Sequence, residues 1–358
     1  MRGYGMFSVN NPGWLEKERP GCGPYDAIVT PRIVAPCSSD THSLHGGSGP
    51  KENMILGHEA VGTVVEVGAE VKGFKPGDFV VVPCVTPDWL GLGIQHGKSF
   101  SHDRRPFGSF KFISSEDGVM AEFFHVIHAD ANLTHLAEGV TPEQALMTVD
   151  MMSTGFYGVE MADVRYGDTV VVIGIGPVGL MAVGGAALRG AGRLIGIGTR
   201  PNCVKVAREY GATDIVSYKE GDVVEQVREL TGGGADKVII AGGGKDILAQ
   251  ALAMTREMGT VASVNYFDAA DTLAFPTLAW GLGMVNKDIR SGFCPGGAVR
   301  IQKLMDVIRY RGFDSSKIIS HTFRGFEKME DALKLMDSKT PDLIKPVVYI
   351  DDLPGAAA

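Results

Sequence analysis

Two groups of residues in this chain have the types and spacing that chemistry requires. The first is Gly174-Ile175-Gly176-Pro177-Val178-Gly179, which follows the apolar run Thr169–Ile173 and opens a helical pattern. In such a turn the first glycine allows a sharp bend. The second lets the backbone approach a pyrophosphate, and the third lets helix pack on strand. Amides at the helix start then face the phosphates. The second group is Cys37-Ser38-Ser39-Asp40-Thr41-His42 together with Gly57-His58-Glu59. Thiolate, imidazole and carboxylate suit zinc, so Cys37 and His58 pair as candidate ligands. Each also has a plain structural reading: Cys37 as a small buried hydrophobe, His58 as a satisfied core histidine. Two ligands alone leave that choice open.

The kind of dinucleotide is decided about twenty residues after the glycine turn, at the end of the next strand. An NAD site usually carries Asp or Glu there. This chain has Gly196-Ile197-Gly198-Thr199-Arg200, with no acid. A carboxylate would repel a 2′-phosphate, whereas Gly198 makes room, and Thr199 and Arg200 can donate hydrogen bonds. The planar, always charged guanidinium fits a phosphate well. Tyr218, past the third strand, could cover the phosphate or the adenine. These residues favour NADP.

The elements that must position these groups fall into two patterns. The first ~150 residues are rich in Gly, Pro and β-branched runs such as Ala60–Val67, Phe79–Pro83 and Ala121–Val126, punctuated by Gly68, Gly77 and Asp78. They read as a mostly β barrel or sandwich. From Thr169 strand and helix alternate. Strand candidates are Thr169–Ile173, Leu194–Ile197, Asp214–Ser217, Lys237–Ala241, Thr260–Val264 and Asp288–Gly292. Helical patterns cover Pro177–Arg189, Pro201–Tyr210, Val223–Leu230 and Ile247–Arg256. Such alternation predicts an α/β, doubly wound parallel sheet. No element is assigned to Asp268–Pro276. Beyond it, Ala298–Arg309 and Phe326–Asp337 read as amphipathic helices and Lys345–Ile350 as a closing strand. The tail Pro354–Ala358 is expected to be disordered.

Composition sets outer limits. At 358 residues the chain suits two domains. Its formal net charge of −8 argues against nucleic acid or an anionic membrane as the main partner. Thr169–Leu188 is apolar enough to imitate a membrane span, but five glycines and Pro177 break it. A strand, a turn and a helix explain it better. The first residues show no charged start followed by an apolar run, so no secretory leader is expected. The five cysteines, Cys22, Cys37, Cys84, Cys203 and Cys294, are scattered and form no C-x-x-C pair. That excludes a disulfide scaffold and a four-cysteine structural zinc lobe, and predicts a cytoplasmic, reduced protein.

With these residues in view, the chain resembles the zinc-containing medium-chain alcohol dehydrogenases, and most closely their microbial NADP-dependent secondary alcohol dehydrogenase branch. The resemblance runs from Met1 to about Ile350. Its marks are Asn53–Gly62 (NMILGHEAVG), Thr86–Trp89 (TPDW), Asp150–Phe156 (DMMSTGF), Val172–Met181 (VIGIGPVGLM) and Cys294–Gly297 (CPGG). It implies a GroES-like catalytic domain, residues 1–152 and 296–358, and a Rossmann NADP-binding domain, residues 153–295. It also implies zinc ligands at Cys37, His58 and Asp150, with Glu59 as an exchangeable fourth that lets a substrate oxygen enter. One catalytic zinc and no structural zinc are expected, in a homotetramer.

The same resemblance assigns a proton relay to Ser39 and His42. It makes Thr154 a neighbour of nicotinamide or alcohol, and sets Asn265 and Tyr266 beside the nicotinamide. Lys339 is a further cofactor candidate. A zinc ion so held would act as a Lewis acid on the oxygen of a small alcohol or ketone. Cys84, Val85 and Phe110 are expected to wall the pocket. The family usually has Trp where this chain has Phe110, which predicts a roomier pocket. Gly91–Pro106 also departs from the family pattern. Three other readings stay open: a zinc-free medium-chain quinone or enone reductase, which shares the fold, a non-enzymatic nucleotide-binding protein, and a dehydrogenase of primary or sugar alcohols. Retention of Cys37, His58, Glu59 and Asp150 together disfavours the first.

Overall fold

The computed structural model describes residues 1–95, 97, 108–268 and 272–353. Most of Gly91–Pro106, part of Asp268–Pro276 and the tail Pro354–Ala358 therefore lie outside the described residues. The chain divides into two compact units, Met1–Ser153 with Cys294–Ala358, and Thr154–Phe293.

In the first unit the strand Ala27–Val34 lies between Ala60–Val67 and the closing strand Lys345–Tyr349, antiparallel to both. Phe79–Val82 continues the sheet beyond Ala60–Val67, and Thr134–His135 follows it. Ile319–Arg324 lies parallel outside Lys345–Tyr349. The apolar faces of these strands bury Val29, Val34, Ala60, Val64, Val80 and Val82 in one core with Leu56, Met120, Phe124 and Met329. Burial of a single such side chain is worth about 1.5–3 kcal/mol. One register matters most for the site. Val34 stands opposite Ala60, so the segments leaving these two residues, toward Cys37 and back toward His58, emerge side by side.

The expected strand Ala121–Val126 is shorter, Phe124–Val126. Ala121 instead makes an isolated bridge to Gly3. The expected helix at Phe326 starts with a tight turn, Phe326–Lys328, before the α-helix Met329–Ser338. The amide of Phe326 is held by Asp352.

The second unit holds a six-stranded parallel sheet. Its order is Asp214–Val216, Arg193–Ile197, Thr169–Ile173, Ala235–Ile240, Thr255–Ser263, Asp288–Ser291. Numbered by sequence this is 3-2-1-4-5-6, the doubly wound dinucleotide-binding order, in which ligands sit at the carboxyl ends beside the reversal of strand order. That reversal falls between Thr169–Ile173 and Ala235–Ile240. The buried stretches of the two central strands, Val170–Ile173 and Val238–Ile240, are apolar throughout, as burial on two faces demands. The helix expected to reach Arg256 ends at Met254, because Thr255 already pairs with Ala235 in the sheet. Among the described residues no helix is long and apolar enough to cross a membrane, and Thr169–Leu188 is a strand, a turn and a helix.

A three-part clasp closes one side of the first unit. His125 stands 2.9 Å from Glu116 and 3.0 Å from Asp26 through its two ring nitrogens. Burial pushes the imidazole pKa down, but hydrogen bonds and charge from Glu116 and Asp26 outweigh it, so the net shift is upward. A pKa raised in the folded state stabilises fully below the unfolded value of about 6.5, and that contribution fades as pH rises through the folded value. Relative to wild type, His125→Gln is expected to lose about 1 kcal/mol near pH 5.5 and less near pH 9. Urea denaturation at the two pH values measures it; a larger loss at the alkaline end contradicts the assignment.

Candidate metal centre and nucleotide site

Cys37, three residues past the strand Ala27–Val34, caps the start of the helix Ser38–Leu44. Asp40, at the third position of that helix, is fully buried. Its carboxylate accepts from the amide of Cys37 (2.8 Å) and the amide of Gly57 (3.0 Å), and meets His58 Nδ1 at 3.2 Å. One carboxylate thus ties both ligand-bearing segments together. It also favours the proton on Nδ1, leaving the Nε2 lone pair to face inward, as the outer partners of metal-bound histidines do.

Around His58 Nε2 stand Ser39 Oγ at 3.2 Å, Asp150 Oδ2 at 3.3 Å and Glu59 Oε1 at 3.8 Å. Cys37 Sγ lies 3.7 Å from the same Asp150 oxygen. One donor atom from each of Cys37, His58, Glu59 and Asp150 lies within 4.8 Å of the others.

Asp150 arrives by a feature that periodicity does not reveal. The helix Pro142–Met147, opened by a reciprocal Thr141–Gln144 cap, widens into a π-helical turn over Thr148–Met152. Such turns are rare and frequently sit at functional sites. The Val149 carbonyl accepts from the amide of Cys84 at 3.1 Å, which anchors the turn to the segment after Phe79–Val82.

The charges explain what the cluster would hold. Burial pushes Glu59 up to about 7, with Asp150 adding to the rise, while Lys345 and His58 pull the other way. Burial alone would lower His58, but Asp40, then hydrogen bonds to Asp150, Asp40 and Cys37, raise it well above the histidine range. Burial likewise opposes the charge on Lys345; Glu59, Cys37 and Asp150 together hold it up. Glu59, His58 and Lys345 are all tuned toward more positive charge. Glu59 Oε2 is buried with no hydrogen-bond partner, a costly state for a carboxylate oxygen. A donor set of sulfur, nitrogen and carboxylate oxygen with an unsatisfied acceptor fits a zinc ion.

Other candidates fall where they could act on this cluster. Phe110 meets the His58 ring edge to face, centroids 5.2 Å apart. Cys84 and Val85 are buried, with a Cys84 donor within 4.8 Å of Asp150. His42 is half-buried, three residues beyond Ser39 on the same helix.

In the second unit Gly174 takes φ +86°, and a Cβ at Gly179 would lie 1.9 Å from the Gly174 carbonyl. Neither position accepts a side chain. A Cβ at Gly176 would meet only the Arg200 guanidinium, at 3.5 Å, so the turn is an open cradle with a cation beside it. Pro177 and Val178 begin the helix Pro177–Leu188, and Gly176 caps it without a side chain. The Gly198 amide bonds to Val216, and the Thr199 hydroxyl donates to Tyr218 at 2.7 Å. Arg200, Thr199 and half-exposed Tyr218 therefore form one polar rim without a carboxylate. This is a fit for a phosphorylated ribose.

Asn265 and Tyr266 follow the strand Thr255–Ser263; the Asn265 amide donates to Ser263 Oγ at 3.3 Å. Thr154 is buried at the start of the second unit. Lys339 belongs to the first unit, where it is exposed and closes Met329–Ser338 in left-handed backbone.

Residues 23–137 match the alcohol dehydrogenase GroES-like domain, and residues 177–308 match the zinc-binding dehydrogenase domain. The NADP-dependent isopropanol dehydrogenase of Thermoanaerobacter brockii is 53% identical over 98% of this chain and 100% of its own length. The chain belongs to the zinc-binding alcohol dehydrogenases. The Clostridium beijerinckii enzyme of the same name is 52% identical over the same shares. Among solved structures, alcohol dehydrogenase TADH from Thermus sp. ATN1 superposes with a TM-score of 0.85 at 28% identity, covering 98% of this chain and 100% of that one.

Sequence reasoning about this alcohol dehydrogenase missed Asp40 and Lys345. Asp40 had a usable signal: an acid three residues after the helix-opening Cys37, where a side chain reaches back to the cap amide. Lys345 had none, since it reads as the polar start of a strand. It is fully buried and ion-paired with Glu59. Removing one partner of a buried pair strands the other charge, at a cost of about 3–5 kcal/mol. Lys345→Met is expected to destabilise by that order, and Lys345→Met with Glu59→Leu to recover most of it. Denaturation in the presence of chelator measures both; equal losses in the single and double variants refute the coupling.

Proposed function

We propose that this chain transfers hydride between NADP(H) and a small secondary alcohol or the corresponding ketone, with some aldehydes also accepted. The observation that carries the reading is the convergence of Cys37, His58, Glu59 and Asp150 donors on one buried point. The bacterial isopropanol dehydrogenases that the chain is similar to supply the substrate class. A cytoplasmic homotetramer is part of the same proposal.

Cys37, His58 and Asp150 would hold the zinc, and Glu59 would exchange on and off it. When bound, the ion supplies Lewis acidity toward the alcohol or carbonyl oxygen. The chain does the rest. Asp40 keeps the His58 ring in the tautomer that ligation needs. Lys345 gives Glu59 an alternative partner, so that the carboxylate can withdraw without becoming an unpaired buried charge. The Ser39 hydroxyl can accept a proton from a substrate hydroxyl while donating its own. His42, on the same helix face, can carry it on toward solvent. Phe110, Cys84 and Val85 limit the groups on either side of the carbinol carbon.

On the nucleotide side, Gly174, Gly176, Pro177, Val178 and Gly179 would seat the pyrophosphate at the helix start. Gly198, Thr199, Arg200 and Tyr218 would recognise the 2′-phosphate, and Thr154, Asn265 and Tyr266 would position the nicotinamide. Lys339 remains a cofactor candidate.

Three measurements test the reading. Metal analysis with NADPH oxidation by acetone or butanone should find about one zinc per chain and turnover lost on chelation. Metal-free protein that reduces enones would reverse the assignment. Arg200→Ala should raise KM for NADPH roughly 10-fold or more, as loss of a charge-assisted bond implies, and leave NADH kinetics little changed. An equal effect on both cofactors sinks the 2′-phosphate role. Phe110→Trp should lower turnover of bulky aryl ketones relative to acetone, and an unchanged ratio removes Phe110 from the specificity wall.

A further inference from the structure

Asp150 belongs to a second cluster. Among the described residues, a donor atom from each of Cys84, Asp150 and Cys294 lies within 4.8 Å of the others. The two sulfurs are 3.9 Å apart although 210 positions separate them in sequence, and both thiols are buried. A disulfide would need about 2.05 Å, and neither cysteine is in one. The spacing matches a different bond. Two thiolates on a tetrahedral ion, each about 2.3 Å from it, stand about 3.8 Å apart.

We propose that Cys84, Cys294 and Asp150 form a second metal site for a thiophilic d¹⁰ cation such as Zn²⁺ or Cd²⁺, with Asp150 shared between it and the first cluster.

Three features of the site support it. First, the sulfurs already have the separation of a tetrahedral edge, so no backbone shift is needed to bind. Second, a carboxylate has two oxygens. In Asp150 the oxygen facing His58 and Cys37 is Oδ2, and a bridging carboxylate can serve an ion on either side. Third, charge balances. Binding exchanges two thiol protons for one divalent cation, M²⁺ + 2 RSH → M(SR)₂ + 2 H⁺, so the added site is neutral overall. Soft sulfur donors select such ions over magnesium or calcium.

The segments that carry the thiols are well held. The Cys84 amide is bonded to Val149 within the π-helical turn, and the Gly297 amide, three residues past Cys294, to Val85. An ion here would lie against Cys84, a wall residue of the proposed pocket, and against a ligand of the first ion. Its expected effect is inhibition by excess thiophilic metal.

The proposal leans on the functional reading only for Asp150's place beside a first ion. Zinc content of the untreated protein tests that part separately. For the second site, zinc-loaded protein is treated with Cd²⁺ and desalted, and both metals are counted together with thiolate-to-cadmium absorption in the ultraviolet. Zinc should stay near one per chain while cadmium rises toward one. Cys84→Ser and Cys294→Ser should each keep zinc and lose the added cadmium. X-ray absorption at the cadmium edge, which needs no variant, should find about two sulfur neighbours. Cadmium replacing zinc one for one, serine variants that take up cadmium like wild type, or one sulfur or none per cadmium each overturn the second site.

Discussion

The first unit is built around a buried cluster of acidic groups. Asp40, Glu59 and Asp150 are brought together with the Cys37 thiol at one end of an apolar sheet, where each ionised group costs several kcal/mol unless it is matched. Lys345 and His58 supply part of the match, and the pKa directions of Glu59, His58 and Lys345 all record a demand for more. A divalent cation answers that demand. The same imbalance that weakens the fold as a hydrophobic object makes it a metal-binding one.

The surrounding architecture follows from that constraint. The antiparallel register that sets Val34 opposite Ala60 delivers Cys37 and His58 to one end of the sheet. Asp40 locks the two segments by three contacts. The π-helical turn Thr148–Met152 carries Asp150 at its centre, a local widening of the kind often found at functional sites. The closing strand Lys345–Tyr349 brings the balancing cation from the far end of the chain. Within the second unit the governing fact is different: a turn too tight for side chains at Gly174 and Gly179 and open at Gly176, with a cation rather than a carboxylate at the end of the neighbouring strand.

Signals that are local in sequence were legible. The parallel sheet shows itself in short apolar strands alternating with amphipathic helices, and the glycine turn in its spacing and position. Elements set by pairing partners were less so. Ala121 leaves the expected strand for a bridge to Gly3, and Thr255 leaves the expected helix for a strand opposite Ala235, because distant hydrogen-bond partners outweigh local propensity. The ligand residues lay between these cases. Cys37 and His58 have suitable chemistry but no local pattern, and only resemblance to a family named Asp150.

Residue chemistry and spacing therefore determined the class of each half: a dinucleotide-binding sheet that lacks an acid at its second strand, and a β-rich unit holding potential thiolate, imidazole and carboxylate ligands. Tertiary structure alone decided which of those ligands meet, that Asp40 orients His58, that Lys345 stands behind Glu59, and that Cys84 touches Cys294. The reason is physical. Periodicity reports the face on which a side chain lies, whereas a metal site needs donor atoms from remote segments to converge within a few ångströms, and only packing sets that convergence.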